Sequence, residues 1–241
     1  MIAVPDEPTA RNAPAAVAVA FCPSPPLLLP GVEGRADPAT DELRRACADA
    51  VARMLARRPD VVVVVGHGAA PGVRFGAGDR GDLRGYGVDL EIAFDGPVRP
   101  EGRDLPLAHT LGAWLLDDAA FTGARAGAGP ADLAQLVRDQ RHPVGILAMG
   151  DGSARRTVKA PGYLDEAAAP FDAAVATALA TGDAAALAAL DLTEGERLLA
   201  AGVPTWQSIG AALAGREIAA TLHLDAALFG VGYLVADWLA A

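Results

Sequence analysis

The sequence predicts an α/β protein with a single domain, built on a mostly parallel central sheet with helices on both faces. Three observations lead to this prediction. Val61–Val65 is a run of five β-branched residues, which is typical of a central strand covered on both faces. Two other short apolar runs, 15–21 and 144–149, end in proline- or glycine-containing turns, as buried strands do. Segments with apolar residues at helical spacing lie between the strands.

Composition agrees with one domain. The chain has 241 residues, of which 52% are hydrophobic, and no break in composition divides it. Residues 1–13 contain Asp6 and Glu7 and lack the basic start and apolar stretch of a signal peptide, so they are interpreted as a loose N-terminal extension. The predicted domain therefore covers residues 14–241.

Charge excludes some classes of partner. The 20 basic and 30 acidic side chains give a formal net charge of −10, which argues against binding to nucleic acid. No apolar run approaches the roughly 20 residues that a membrane span needs, so we expect an acidic cytoplasmic protein. Cys22 and Cys47 show no paired spacing, which indicates buried thiols rather than a disulfide framework or a zinc site.

The first elements form a β-α-β unit. The strand at 15–21 ends in a proline-rich turn, and residues 41–57 follow as an amphipathic helix with Thr40 as the expected N-cap. Pro59 stops this helix just before the valine run. Loops follow both strands at their carboxyl ends, at 22–30 and 66–72, where ligands of open α/β sheets bind.

The rest of the chain predicts one more buried strand at the same edge. Residues 144–149 lead into Gly150-Asp151-Gly152-Ser153. Residues 72–87 are interpreted as a long loop, and their GxGxxG string at 76–81 follows no clear strand. A half-buried strand is expected at 88–94 and a closing strand at 217–224. Helices are predicted at 105–119, 131–139, 165–180, 183–190, 194–201 and 206–213.

A co-linear set of motifs resembles a known family. It consists of Pro23-Ser24-Pro25-Pro26 after the first strand, Gly66-His67-Gly68 after the valine run, the 150–153 loop with Pro161-Gly162-Tyr163 behind it, and Gly230-Val231-Gly232-Tyr233. In this order the chain is similar to the catalytic subunits of class III extradiol ring-cleavage dioxygenases, and more closely to an actinobacterial branch of proteins that are like these catalytic subunits. The similarity covers residues 15 to 239.

The resemblance implies a reaction and shows where this chain departs from it. In the family, two histidines and a carboxylate hold Fe(II), and another histidine moves protons. His67 matches the second metal histidine, whereas Ser24 stands at the position of the first and Ala154 at that of the proton-transfer histidine. The family also assembles as dimers or larger complexes, so a homodimer is expected.

The other histidines are weaker candidates. His67 is a single histidine at the carboxyl edge of the predicted sheet. Without a partner histidine it does not define a metal site, so metal ligation by His67 stays open. His109 and His142 are interpreted as surface or partly buried structural residues. His223 and Asp225 share one face of the predicted C-terminal strand and together could supply ligands.

The loop after the third strand offers polar candidates. Asp151 can act as a ligand or base, but a Gly-Asp-Gly turn is also a structural element in which the carboxylate accepts backbone hydrogen bonds. Ser153 is a candidate catalytic neighbour. Arg155, Arg156 and Lys159 form the one dense basic cluster of the sequence, which can bind a carboxylate or phosphate; the alternative is salt bridges to Asp165, Glu166 or the helix that follows.

Three functions remain open. The first is a dioxygenase relative that has lost the standard iron site and acts as a small-molecule binding or accessory protein. The second is an enzyme that binds Fe(II) or zinc through a rearranged set such as His67, Asp151 and a C-terminal carboxylate or His223. The third is a metal-free enzyme in which Asp151, Ser153 and Arg155 bind and act on an anionic substrate.

The tryptophans, Trp114, Trp206 and Trp238, are expected in the core.

Overall fold

The computed structural model describes residues 16–30, 32, 37–139 and 142–241. The expected N-terminal extension at 1–13 lies outside these residues. No helix in the described ranges is both long and apolar enough to cross a membrane.

A seven-stranded mixed sheet forms the centre of the fold. Its strands are β1 (Val17–Cys22), β2 (Val61–Val65), β3 (Arg74–Phe75), β6 (Ala124–Ala128), β7 (Val144–Met149), β8 (Ile218–Leu228) and β9 (Val231–Ala240), while β4 (Arg80–Asp82) and β5 (Glu91–Ala93) pair separately. The order across the sheet is β3-β6-β2-β7-β1-β9-β8. The four strands β6, β2, β7 and β1 are parallel, and each of the three remaining strands pairs antiparallel with its neighbours. The α/β prediction is therefore confirmed.

The described fold also has seven α-helices: α1 (Pro38–Leu55), α2 (Leu107–Asp118), α3 (Leu133–Asp139), α4 (Ala168–Thr181), α5 (Ala184–Ala188), α6 (Leu192–Leu198) and α7 (Val203–Leu213). The N-cap of α1 is Asp37, whose side chain accepts a hydrogen bond from the Ala39 N–H. The prediction that Thr40 is the N-cap is wrong, because Pro38 already takes the first helical position and Thr40 lies buried inside the helix.

Each face of the sheet carries its own hydrophobic core. One core packs α1 and α2 against the sheet, and the other packs α4, α5 and α7 against the opposite face. Trp206 and Trp238 are fully buried in the second core, where the Trp238 indole N–H donates to the Leu179 carbonyl at 2.7 Å. Phe21 meets the Trp238 ring edge-on at 5.0 Å between centroids. Trp114 is partly buried against the first core, so the tryptophans pack as expected.

The middle of the chain differs from the prediction. The 72–87 loop contains β3 and β4, and the strand expected at 88–94 is only three residues long, at Glu91–Ala93. The sequence of β6, Ala-Arg-Ala-Gly-Ala, has no β-branched residue and does not predict a strand. It is extended because β2 pairs with it along its whole length, so tertiary pairing decides its conformation.

Candidate functional site at the carboxyl edge of the parallel strands

Three candidate residues lie at matching positions beyond adjacent strands. Ser24, His67 and Asp151 each stand two residues past the end of β1, β2 and β7. Cys22 pairs with Met149 and Val65 with Ala148, so these strands end nearly level. The parallel register therefore brings the first strand, the valine run and the 150–153 loop to one rim, as predicted.

A direct hydrogen bond joins the loops after β1 and β7. The Ser24 N–H donates to Asp151 Oδ1 at 2.7 Å, and the Gly150 N–H donates to the Cys22 carbonyl at 3.0 Å. Arg44 of α1 fixes the first loop from behind, because its guanidinium donates to the carbonyls of Leu27 and Leu28 at 2.7 and 2.9 Å. Ser24 is 2% exposed, and its hydroxyl has no hydrogen-bond partner.

Burial changes the acidity of the groups around Asp151. Loss of solvent raises the pKa of the Asp151 carboxyl to about 6, and the hydrogen bond from Ser24 only partly offsets this effect. Burial, with a contribution from the Asp151 charge, also raises the pKa of the Tyr233 phenol. The Cys47 thiol has a raised pKa because of a hydrogen bond with Cys22, burial and nearby charge. The two free thiols are buried as expected, but the sequence did not indicate that they meet.

His67 is held between two glycines that permit close packing. A Cβ atom at Gly66 would lie 2.6 Å from the Ala108 Cβ, so α2 approaches the loop closely there. Gly68 has φ +91°, in the left-handed region that favours glycine. Burial lowers the pKa of the His67 imidazole, and its Nδ1 is buried without a hydrogen-bond partner. The ring is therefore neutral at pH 7 with one nitrogen unused.

His109 lies near His67, which the sequence did not predict. It was expected at the surface or partly buried, but it is fully buried, because residues 107–118 form a helix that lies under the rim. Its Nε2 is 2.9 Å from the Ala128 carbonyl, and its ring meets Phe75 edge-on at 4.8 Å between centroids. Burial, with a smaller effect of His67, lowers the pKa of His109 to about 4. The sequence carried no signal for this proximity.

A cleft opens beside His67. It encloses about 570 Å³ between the loop after β2 and the junction of α6 with α7, within the usual range of small-molecule sites. Its walls are mostly aliphatic, and the lining residues are His67, Leu192, Gly195, Glu196, Leu199, Ala200, Ala201, Val203 and Pro204. The Gly202 N–H donates to the Asp151 carbonyl at 2.8 Å, which connects the cleft wall to the loop after β7.

Ser153 and Arg156 meet at a buried carboxylate. Asp172 of α4 accepts hydrogen bonds from the Ser153 N–H at 2.8 Å and the Ser153 hydroxyl at 2.6 Å. Arg156 donates to the same carboxylate at 2.9 Å. Ser153 is fully buried, so its hydroxyl faces Asp172 rather than the cleft. Arg156 thus makes the salt bridge to the following helix that the sequence left open as an alternative.

The other basic residues of this loop do not converge on one point. Arg155 donates to the Gly162 carbonyl at 2.6 Å, whereas Lys159 is exposed. Ala154, at the position of the family's proton-transfer histidine, donates its N–H to the Leu198 carbonyl. The structure therefore gives no anion cradle formed jointly by Arg155, Arg156 and Lys159, although binding of an anion by any one of them stays a prediction.

The donor groups do not fit the iron site of the resembled family. Within the described ranges, no group of three or more His, Cys, Asp or Glu side chains could hold a metal ion. Ser24 has a buried neutral hydroxyl, and Ala154 has no donor atom in its side chain. We therefore derive no step through iron or zinc at this rim.

The C-terminal histidine lies away from the rim. His223 Nε2 is 2.7 Å from Asp237 Oδ1, and Asp237 also accepts from Arg53 of α1 at 2.7 Å. Asp237 of β9 pairs with Ala20 of β1, while Asp225 is exposed. The expectation that His223 and Asp225 form a ligand pair does not agree with this geometry, because the chain bulges between Leu222 and Leu224. His142 is exposed beside Asp60.

Comparisons with known proteins add no family. No protein-family model matches the chain. A search of curated proteins also finds no similar protein.

Proposed function

We propose that this chain is a cytoplasmic protein, similar to the catalytic subunits of class III extradiol dioxygenases, that binds a small aromatic molecule and lacks the iron site of that family. The observation that carries the proposal is the cleft beside His67. Its aliphatic walls offer apolar contact to a ring, and the His67 imidazole in the lining offers a polar contact to a ring substituent. A homodimer remains our expectation from the resemblance.

The donor set supports a binding role over ring cleavage. The family uses two further histidines besides the one that His67 matches. In this chain their positions are taken by Ser24, whose hydroxyl is buried, and by Ala154. Asp151 already accepts the Ser24 N–H, and Ser153 is bonded to Asp172. These bonds also weigh against the metal-free enzyme in which Asp151, Ser153 and Arg155 act on an anion.

Calorimetry with catechol tests the binding role. We expect one catechol per chain, and a large loss of affinity in Ala201→Trp, whose new ring would fill the cleft. His67→Leu should weaken binding by about tenfold, since a hydrogen bond contributes about 1.4 kcal/mol. Equal affinity in wild type and Ala201→Trp would show that the cleft is not the site.

Metal analysis tests the missing iron site. Protein purified without an affinity tag and supplied anaerobically with Fe(II) should retain far less than one iron per chain by inductively coupled plasma mass spectrometry. About one iron or zinc per chain, together with catechol-dependent oxygen uptake, would instead establish the enzyme with a rearranged ligand set. His67→Leu would then be expected to lose the metal.

A further inference from the structure

Three large apolar residues near the cleft adopt strained backbone conformations. Tyr163, Leu199 and Phe229 have φ of 62°, 57° and 53°, in the left-handed region that disfavours side chains with a Cβ. Glycine and asparagine are the residues that usually adopt this conformation. Leu199 caps α6, and Phe229 with Gly230 forms the two-residue turn between β8 and β9.

The side chains of these residues gain little packing within the chain. Leu199 is 45% exposed, and Tyr163 and Phe229 are each 64% exposed. Strained conformations persist where the surroundings impose them, and they concentrate at ligand sites and switches. In this protein the strained residues hold apolar side chains in solvent. Burial of these side chains within the chain therefore does not offset the energetic cost of the strain.

One loop connects the backbone around the three residues. A Cβ at Gly162 would lie 2.6 Å from Leu199 Cδ1, and a Cβ at Gly230 would lie 2.6 Å from the Ala160 Cβ. The 157–163 loop therefore contacts Leu199 on one side and Gly230, the neighbour of Phe229, on the other. Tyr163 lies in this loop. We call Tyr163, Leu199 and Phe229 the collar. Leu199 also lines the cleft, so collar and cleft are continuous.

The charges around the cleft disfavour an anion. Glu196 is the one acidic side chain among the described residues that line the cleft, and no arginine or lysine is among them. Two nearby arginines are paired with carboxylates: Arg156 with Asp172, and Arg197 with Asp165 and Glu194. The chain as a whole carries a net charge of −10.

We propose that the ligand of this cleft is a molecule without negative charge, with an apolar portion that extends past the cleft mouth and lies against the collar. This inference rests on the proposed binding function and specifies its ligand class. The occupant is the ligand itself rather than a protein partner, since Leu199 belongs to both the cleft wall and the collar.

Two fluorescent probes with the same aromatic scaffold test the ligand class. N-phenyl-1-naphthylamine is neutral, and 1-anilinonaphthalene-8-sulfonate differs from it by one sulfonate. We expect the neutral probe to bind once per chain, with at least tenfold higher affinity than the sulfonate. Equal or tighter binding of the sulfonate would overturn the inference.

Tyr163→Gly and Phe229→Asn test the collar, because neither residue lines the cleft. Either change relieves the strain and removes the apolar side chain, so the melting temperature should rise by about 2–4 °C while affinity for the neutral probe falls at least fivefold. Ala120→Gly is the matched control: Ala120 also has positive φ, at 51°, but it follows α2, away from the cleft. It should raise the melting temperature and leave affinity unchanged.

The outcomes separate the two proposals. If wild type binds catechol in the cleft but does not bind the neutral probe, only the collar inference fails. If Ala201→Trp weakens neither catechol nor the neutral probe, both the cleft function and the collar inference fail. If Ala201→Trp abolishes binding but both collar variants bind as wild type, only the collar inference fails. A change of sedimentation in the collar variants without a change of probe affinity would assign the collar to a protein interface and overturn the inference.

Discussion

The Ser24 N–H donates a 2.7 Å hydrogen bond to the carboxylate of Asp151, although the two residues are 127 positions apart in the sequence. This bond gives the loop after β1 and the loop after β7 a common anchor. It favours the ionised carboxylate, whereas burial favours the protonated one, and burial has the larger effect.

Asp151 should make stability fall as the pH rises. Its pKa in the folded protein, about 6, lies above its ordinary value of 3.8, so folding favours the proton. The stabilising contribution is present below pH 3.8 and is lost as the pH rises through about 6. The unfolding free energy of wild type relative to Asp151→Asn should drop by about 2 kcal/mol between pH 4 and 7.5. A constant difference in urea unfolding across this range would contradict the shift.

His109 should have the opposite pH dependence. Its pKa of about 4 in the folded protein lies below the ordinary 6.5, so its contribution is present above pH 6.5 and lost as the pH falls toward 4. Relative to His109→Gln, wild type should lose about 2 kcal/mol of unfolding free energy between pH 7.5 and 5. Titration of the imidazole by NMR provides the direct check, and a value near 6.5 would refute it.

Two buried serines should respond differently to replacement by alanine. The Ser24 hydroxyl has no partner, so Ser24→Ala should leave stability unchanged or raise it by up to about 1 kcal/mol. The Ser153 hydroxyl donates to the Asp172 carboxylate at 2.6 Å, so Ser153→Ala should cost about 2 kcal/mol. Urea unfolding of both variants measures the difference, and equal effects would count against this assignment of partners.

Removal of Arg156 should destabilise the fold itself. Asp172 is 1% exposed at its side chain, and Arg156 is its charged partner. Arg156→Met should therefore lower the unfolding free energy by about 3 kcal/mol, since a buried carboxylate loses its counter-charge. The double variant with Asp172→Asn should lose less than the sum of the two single changes. Arg155→Met serves as the comparison, because Arg155 donates to a carbonyl and pairs with no buried charge.

The sequence predicted best where local pattern and tertiary position agree. The valine run and residues 144–149 are strands over the predicted bounds, because an apolar run that is buried on both faces has few other stable conformations. The rim position of His67 followed from the end of its strand. By contrast, β6 has no local strand signal and depends on its neighbours in the sheet.

The partners of the polar residues were not predictable. Ser153 meets Asp172 only because α4 returns across the end of the sheet, and no spacing rule anticipates that contact. The pKa of Asp151 depends on burial, which is a property of the assembled loops. Leucine at position 199 gave no sign of a left-handed conformation, since leucine is not a turn residue.

Hydrogen bonds of Gly232 make closure of the rim depend on β9. Its N–H donates to the Ser153 carbonyl and its carbonyl accepts from the Gly152 N–H, both at 2.8 Å, so the loop that carries Asp151 is secured by β9. The same strand covers one edge of β1. The segment that forms β9 must therefore have left the ribosome before this rim can close, and until then β1 exposes an unpaired apolar edge, which favours aggregation.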